Sequence, residues 1–191
     1  MRKKLALIIF LIIAIIIGAL YINKKQIQKK MYPTTYLETI LENSKKYNLD
    51  PYLVLAVIKA ESDFHVEAVS NQDARGLMQI TPDTGKWIWE KMGFKNFQGD
   101  ELFDPQTNIK MGCWYLDNLS KEFNSNRVLV LAAYNGGRGN VNKWLKDPSL
   151  SKDGKTLDTI PFKETDEYVK KIKVNYEMYK KIYSSLEEGK K

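Results

Sequence analysis

From Tyr52 to Ala60 the chain reads Tyr-Leu-Val-Leu-Ala-Val-Ile-Lys-Ala, and it then stops at a carboxylate, Glu61. Wound as a helix, this run has too much apolar surface to face water on any side, so it belongs inside a core with other elements around it. Asp50 and Pro51 stand just before it, an N-cap followed by a first-turn proline, and they set the start of the helix. A carboxylate at the end of a buried helix is partly desolvated. Desolvation disfavours the charged form and raises the pKa, which is what a general acid needs near neutral pH. The plainer reading of Glu61 is a helix-end carboxylate that caps or pairs locally.

The same start signal recurs twice. Thr81-Pro82 opens a helix carrying Trp87, Ile88 and Trp89, and Asp104-Pro105 opens one that runs to about Phe123 with Ile109, Cys113, Leu116 and Phe123 on one side. Tyr36 to Tyr47 has one apolar stripe, Leu37, Ile40 and Leu41. Arg127 to Tyr134 is a short apolar helix that runs into the turn Asn135-Gly136-Gly137-Arg138-Gly139, with a further helical turn expected over Val141 to Leu145. Thr165 to Leu186 repeats Tyr168, Val169, Ile172, Tyr176, Tyr179, Tyr183 and Leu186 at spacings of three and four, a long amphipathic helix. Lys91 to Asp104 and Asp147 to Pro161 read as loops. With no strand pattern, repeat or second domain, the fold class is all-α, one domain over 36–186 with a charged tail at 187–191.

The amino terminus is different in kind. Met1-Arg2-Lys3-Lys4 precedes 18 uncharged residues, Leu5 to Ile22, and Lys24, Lys25, Lys29 and Lys30 follow. That length suits a bilayer core, so residues 5–22 are expected to meet the lipid bilayer as an N-terminal transmembrane helix. An uncleaved signal anchor is favoured over a cleaved signal, because Gly18-Ala19-Leu20-Tyr21 is a poor cleavage site. No cysteine lies near position 20, which excludes a lipoprotein anchor. Residues 23–35 read as a basic tether that stands the domain off the membrane.

The net charge of +7 favours anionic partners: nucleic acid, anionic lipid or an acidic wall polymer. The basic residues are scattered in pairs and form no nucleic-acid motif, so nucleic acid is not expected as a partner. A lone histidine, His65, and a lone cysteine, Cys113, make neither a disulfide nor a metal-ligand cluster. Cys113 is expected to be a small buried hydrophobe. No metal or cofactor is expected.

Four blocks occur in order: Glu61-Ser62, Gly76-Leu77-Met78-Gln79, Ala133-Tyr134-Asn135-Gly136-Gly137, and Glu164-Thr165 with Tyr168-Val169. Together they resemble the signature blocks of the lytic transglycosylases of the soluble, Slt-type catalytic-domain family (glycoside hydrolase family 23), over roughly Tyr36 to Tyr183. The resemblance implies a lysozyme-like fold and cleavage of peptidoglycan glycan strands outside the cytoplasm. It implies that Glu61 acts twice, first as acid towards the leaving oxygen and then as base towards the sugar's C6 hydroxyl. The hydroxyl closes a 1,6-anhydro ring and no water is consumed.

Substrate contacts are expected from Ser62, Gly76, Leu77, Met78, Gln79, Tyr134, Asn135, Gly136 and Tyr168. Ser62 would hold a substrate amide or bond the backbone at the helix end. Gly76 permits a positive φ or a close approach, and Met78 with Gln79 offers an apolar surface and an amide. Tyr134 with Asn135 pairs an aromatic face with an amide, and the resemblance brings the Tyr168 hydroxyl to Glu61 or to the substrate N-acetyl group. Asp73 departs from the family pattern. A carboxylate there is a candidate to activate water, which would make the chain a hydrolase akin to goose-type lysozymes. A non-catalytic wall-binding module is the reading from another class.

Overall fold

The computed structural model describes residues 2–184. In chain order the helices are α1 (Arg2–Met31), α2 (Leu37–Lys46), α3 (Pro51–Glu61), α4 (Pro82–Lys91), α5 (Pro105–Glu122), α6 (Arg127–Gly136), α7 (Arg138–Trp144) and α8 (Lys163–Ile182), with a 3-10 turn at Gly99–Phe103. Among the described residues the only β pairing is two isolated bridges, Val69 with Arg75 and Arg75 with Ile80.

The run that follows Asp50 is the helix the others surround. Every residue of α3 from Pro51 to Ile58 is buried. Each valine, leucine or isoleucine so enclosed contributes about 1.5–3 kcal/mol, enough to override the weak helix propensity of Val54, Val57 and Ile58. The Asp50 carboxylate accepts from the Tyr52 amide at 2.9 Å and from the Tyr176 hydroxyl at 2.6 Å, tying the start of α3 to α8. Along α8, Tyr168, Ile172, Asn175, Tyr176 and Tyr179 are buried. Their spacing of three and four is the stripe that lies on α3. α2 packs on α3 as well and carries α5 on its other flank; Cys113 on α5 is wholly buried, and burial pushes its thiol well above the ordinary range.

The three capped starts stand where their Asp-Pro and Thr-Pro signals put them, at Pro51, Pro82 and Pro105. Other boundaries differ. The 3-10 turn sits inside the segment expected to be loop, because Leu102 is wholly buried there. α6 continues through Asn135 and Gly136 to a cap at Gly137, and α7 begins at Arg138, earlier than Val141. α8 begins at Lys163 and ends at Ile182; Leu186 and the tail at 187–191 lie outside the described residues.

The amino-terminal helix does not stop at Ile22. α1 carries the tether with it as far as Met31. Among the described residues no helix is long and apolar enough to cross a membrane; part of the apolar run at 5–22 lies outside the residues whose side chains are described. The described apolar side chains there, Phe10, Leu11, Ile12, Ile13, Ile17 and Leu20, are exposed. Where α1 ends, α8 grips it. The Tyr179 hydroxyl donates to Pro33 O at 2.9 Å and the Tyr183 hydroxyl to Tyr32 O at 2.7 Å. The Tyr32 ring stands edge-on to Tyr179 at 5.3 Å.

Candidate active site

The polar loop after α3 returns the chain to the Glu61 end of that helix. Gly76 makes the turn with φ of +73°, and Asn108 on α5 holds it. Asn108 is fully buried, accepts from the Met78 amide at 2.7 Å, and donates to Arg75 O at 3.0 Å and Leu102 O at 2.7 Å. One side chain thereby bonds the Met78 amide and Leu102 O and adds a second bond to Arg75 O, which also accepts from the Ile80 amide. Ser62 ties the loop to α3 from the other side, its hydroxyl donating to Leu77 O at 2.8 Å. The Tyr134 hydroxyl donates to Met78 O at 2.8 Å.

Glu61 closes α3 in the middle of this framework. The residue keeps partial exposure where it faces the groove, while burial of the carboxyl raises its pKa from 4.5 to about 7. The hydrogen bond from Tyr168 and the charge of Lys171 pull the value down, and the charge of Glu164 pushes it up. The Tyr168 hydroxyl donates to Glu61 Oε1 at 2.6 Å. Burial, and then the Glu61 charge, hold the Tyr168 phenol far above neutrality, so it remains a donor. Lys171, one turn further along α8, donates to Ala60 O at 2.7 Å.

Glu61 stands where two hollows meet. One, of about 500 Å³, is lined by side chains including Gln72, Thr81, Tyr115, Tyr134, Asn135 and Glu164. The other, of about 800 Å³, is lined by Lys59, Asp63, His65, Glu67, Lys171 and others. Glu61, Ser70 and Gln79 border both, so a single groove passes the carboxylate on either side. A groove open on both sides of one acid fits a chain-like substrate cut internally or near an end.

The expected contact residues divide. Gln79, Tyr134 and Asn135 line the groove. Leu77 and Met78 do not: both are fully buried, because an apolar pair beside α5 gains more by filling the core than by facing sugar. Ser62 borders the second hollow, but its hydroxyl is turned inward onto Leu77 O, where it positions the loop. Gly76 packs under Leu102, and Gly136 packs against Thr165, whose hydroxyl donates to Asn135 Oδ1 at 2.8 Å. Part of the Gln79 amide is also spent inside, donating to Ala68 O and Gly76 O at 3.0 Å each. Tyr168 reaches the site through Glu61.

Asp73 is not at the acid. Its neighbours Gln72 and Ala74 line the groove, but Asp73 turns to Arg75, at 2.9 Å from Nε, and Arg75 in turn reaches Asp100 at 3.2 Å. An aspartate held bidentately by an arginine outside the groove is a loop brace. On the Tyr134 side of the groove the carboxylate besides Glu61 is Glu164. It was present in the last sequence block, and only the docking of α8 beside α3 gives it a place. Lys171 and Asn108 carried no sequence signal, being an ordinary lysine on a lysine-rich face and an ordinary asparagine near a helix start. Among the described residues, no group of three or more His, Cys, Asp or Glu side chains is gathered where it could hold a metal ion.

A family model described as the transglycosylase SLT domain matches residues 38–156. The chain belongs to that family. The soluble lytic murein transglycosylase of Salmonella typhimurium is 29% identical over 163 residues, covering 84% of this chain and 25% of that protein. The membrane-bound lytic murein transglycosylase C of Cronobacter sakazakii is 32% identical, covering 76% of this chain and 46% of that protein. An inactive mutant of the lytic transglycosylase Slt of Pseudomonas aeruginosa superposes with a TM-score of 0.68 at 32% identity, over 78% of this chain and 24% of that one. The chain thus spans about a quarter of the length of the soluble relatives it matches. The SLT match ends at residue 156, before α8. Tyr168, Glu164 and Lys171 enter this SLT domain's site from a helix beyond the matched segment.

Proposed function

We propose that this chain is a membrane-anchored peptidoglycan lytic transglycosylase. It cleaves the β-1,4 bond between MurNAc and GlcNAc and leaves 1,6-anhydro-MurNAc ends. The observation that carries the reading is the Glu61 carboxyl, poised at about 7 under the Tyr168 hydroxyl, at the point where the two halves of the groove meet. A carboxyl so poised is protonated often enough to donate and ionised often enough to accept. In the first half-reaction its proton goes to the glycosidic oxygen, the C1–O bond breaks and the electron pair leaves with that oxygen. In the second, the C6 oxygen bonds to C1 and its proton returns to Glu61. The net change is a rearrangement without water. Tyr168 stabilises the ionised state between the two transfers.

The exposed apolar side chains from Phe10 to Leu20 support an anchor at residues 5–22, as does the similarity to a relative described as membrane-bound. A wall substrate requires the SLT domain to stand outside the cytoplasm. A second reading rests on Glu164: a carboxylate on the groove wall is equipped to activate water, and the chain would then be a hydrolase. Mass spectrometry of digested cell wall separates them. Anhydro-muramyl ends are the expected product, and reducing ends alone overturn the proposal in favour of hydrolysis.

Tyr168→Phe removes the hydroxyl that favours the ionised carboxyl, so Glu61 moves further up and stays protonated to higher pH. Because the second half-reaction needs the ionised form, kcat falls about tenfold. The alkaline limb of the pH–rate profile shifts upward. A profile that keeps its limb, or moves it down, removes Tyr168 from the proton cycle.

A further inference from the structure

Two of the amides that line the groove have one edge taken by the protein, and in opposite senses. Gln79 spends its Nε2 on Ala68 O and Gly76 O, so its oxygen is the edge left over. Asn135 is held the other way. Its Oδ1 accepts from the Thr165 hydroxyl at 2.8 Å, so its N–H donors are the edge left to the groove.

The fold is built around that contact. Thr165 is 2% exposed and stands third in α8, so the residue four places back, Pro161, precedes the helix. A threonine deeper in a helix commonly returns its hydroxyl to the carbonyl four residues behind it. Thr165 gives its proton to Asn135 on α6 instead. Gly136 makes the room, because a Cβ there would stand 2.8 Å from Thr165 Oγ1 and 3.2 Å from Cγ2. The sense of the bond follows from burial. If the Asn135 amide turned over, its Nδ2 would face the hydroxyl, and the buried hydroxyl proton would lose its acceptor. A buried donor without a partner is the costlier state, so the amide stays with its oxygen inward.

We propose that Thr165 is a positioning residue for the transglycosylase reaction. By fixing the Asn135 amide, it makes that point of the groove a hydrogen-bond donor that receives an oxygen of the sugar. The proposal rests on the peptidoglycan reading above. Thr165 is buried and acts through Asn135. Without the hydroxyl the two edges of the amide compete for the groove, and the side chain also turns out to water. Only a fraction of the molecules then presents the donor, and apparent affinity falls by that fraction.

The full chain in detergent, with purified glycan strands, tests this. Thr165→Val keeps the shape and removes the donor. It is expected to raise KM about fivefold, with the loss falling on KM rather than kcat. The alkaline limb of the pH–rate profile stays in place, because Glu61 and Tyr168 keep their bond. Thr165→Ser restores most of the affinity. In an Asn135→Ala background Thr165→Val has no further effect on KM, since no amide is left to fix. Additive losses in the double variant, or a limb that moves in Thr165→Val, would mean that Thr165 only packs α8 against α6, and either overturns the proposal. A wild-type KM in Thr165→Val overturns it as well. Strand binding to Glu61→Gln, with and without Thr165→Val, reads the same step without turnover. Weaker binding with Thr165→Val, but no anhydro ends from wild type, overturns the reaction and leaves the positioning role. Anhydro ends from wild type with equal binding of the two variants overturns the positioning role and leaves the reaction.

Discussion

Glu61→Gln is expected to lower turnover at least about 10³-fold and to leave the fold intact. Glutamine keeps the shape, so the Tyr168 hydroxyl still finds an oxygen to donate to, but the amide can neither give nor reclaim the proton. The same substitution is expected to stabilise the protein at alkaline pH. In the unfolded chain the carboxyl ionises near 4.5, and in the native protein near 7. The native state therefore holds its proton more tightly. Wild-type stability falls as pH rises from about 4.5 to about 7, and it levels off above that. The loss is about 3 kcal/mol, which glutamine does not suffer. Thermal unfolding of the two proteins should coincide at pH 4 and separate above pH 7 with the variant melting higher, by several degrees for a chain of this size. Equal melting temperatures at pH 8 would show that Glu61 is not held in a desolvated site. Retained turnover would remove it from the chemistry.

Gly76→Ala is the second large effect, and it acts on the frame that holds the acid's surroundings. At φ of +73° an alanine is strained whatever the space, and here a Cβ would stand 2.2 Å from Leu102 O and 2.5 Å from Asn108 Nδ2. Neither neighbour can yield freely, because Asn108 Nδ2 is bonded to Leu102 O and to Arg75 O. Moving it breaks the bonds that satisfy the buried backbone of the loop. A loss of about 3–4 kcal/mol is expected. Gly93→Ala isolates the backbone share, since Gly93 has φ of +85° and nothing within 4 Å of a Cβ. Its cost should stay near 1 kcal/mol. Chemical denaturation of the two variants checks the difference, and equal losses would mean that the close approach at Gly76 does not matter.

What the sequence made legible follows from how local each signal is. The starts of α3, α4 and α5 are written in two adjacent residues each, a capping side chain and a proline with no N–H to donate to a preceding turn, so they could be read without knowing the fold. The stripe on α8 is equally local. Glu61 was legible because it opens the first of four blocks that occur in order; a carboxylate at a helix end is common by itself. The division of labour in the Gly76–Ile80 loop was not legible. Whether Met78 faces a sugar or fills the core depends on the place of α5, which comes thirty residues later. Asp73 and Glu164 show the same limit. Each is a carboxylate beside a signature block, and only the long-range packing of α8 on α3 sends one into the groove while Arg75 draws the other away.

The grip of Tyr179 and Tyr183 on Tyr32 and Pro33, just past the last turn of α1, bears on reach. A slack linker of a dozen residues would let an enzyme sweep a hemisphere around its point of attachment. Helix from Asn23 to Met31, about 14 Å at 1.5 Å per residue, clasped by two phenols at its far end, is a stalk instead. If residues 5–22 anchor the chain as proposed, an enzyme standing on that stalk would work at one height and one bearing, and would trim the strands that pass at that level.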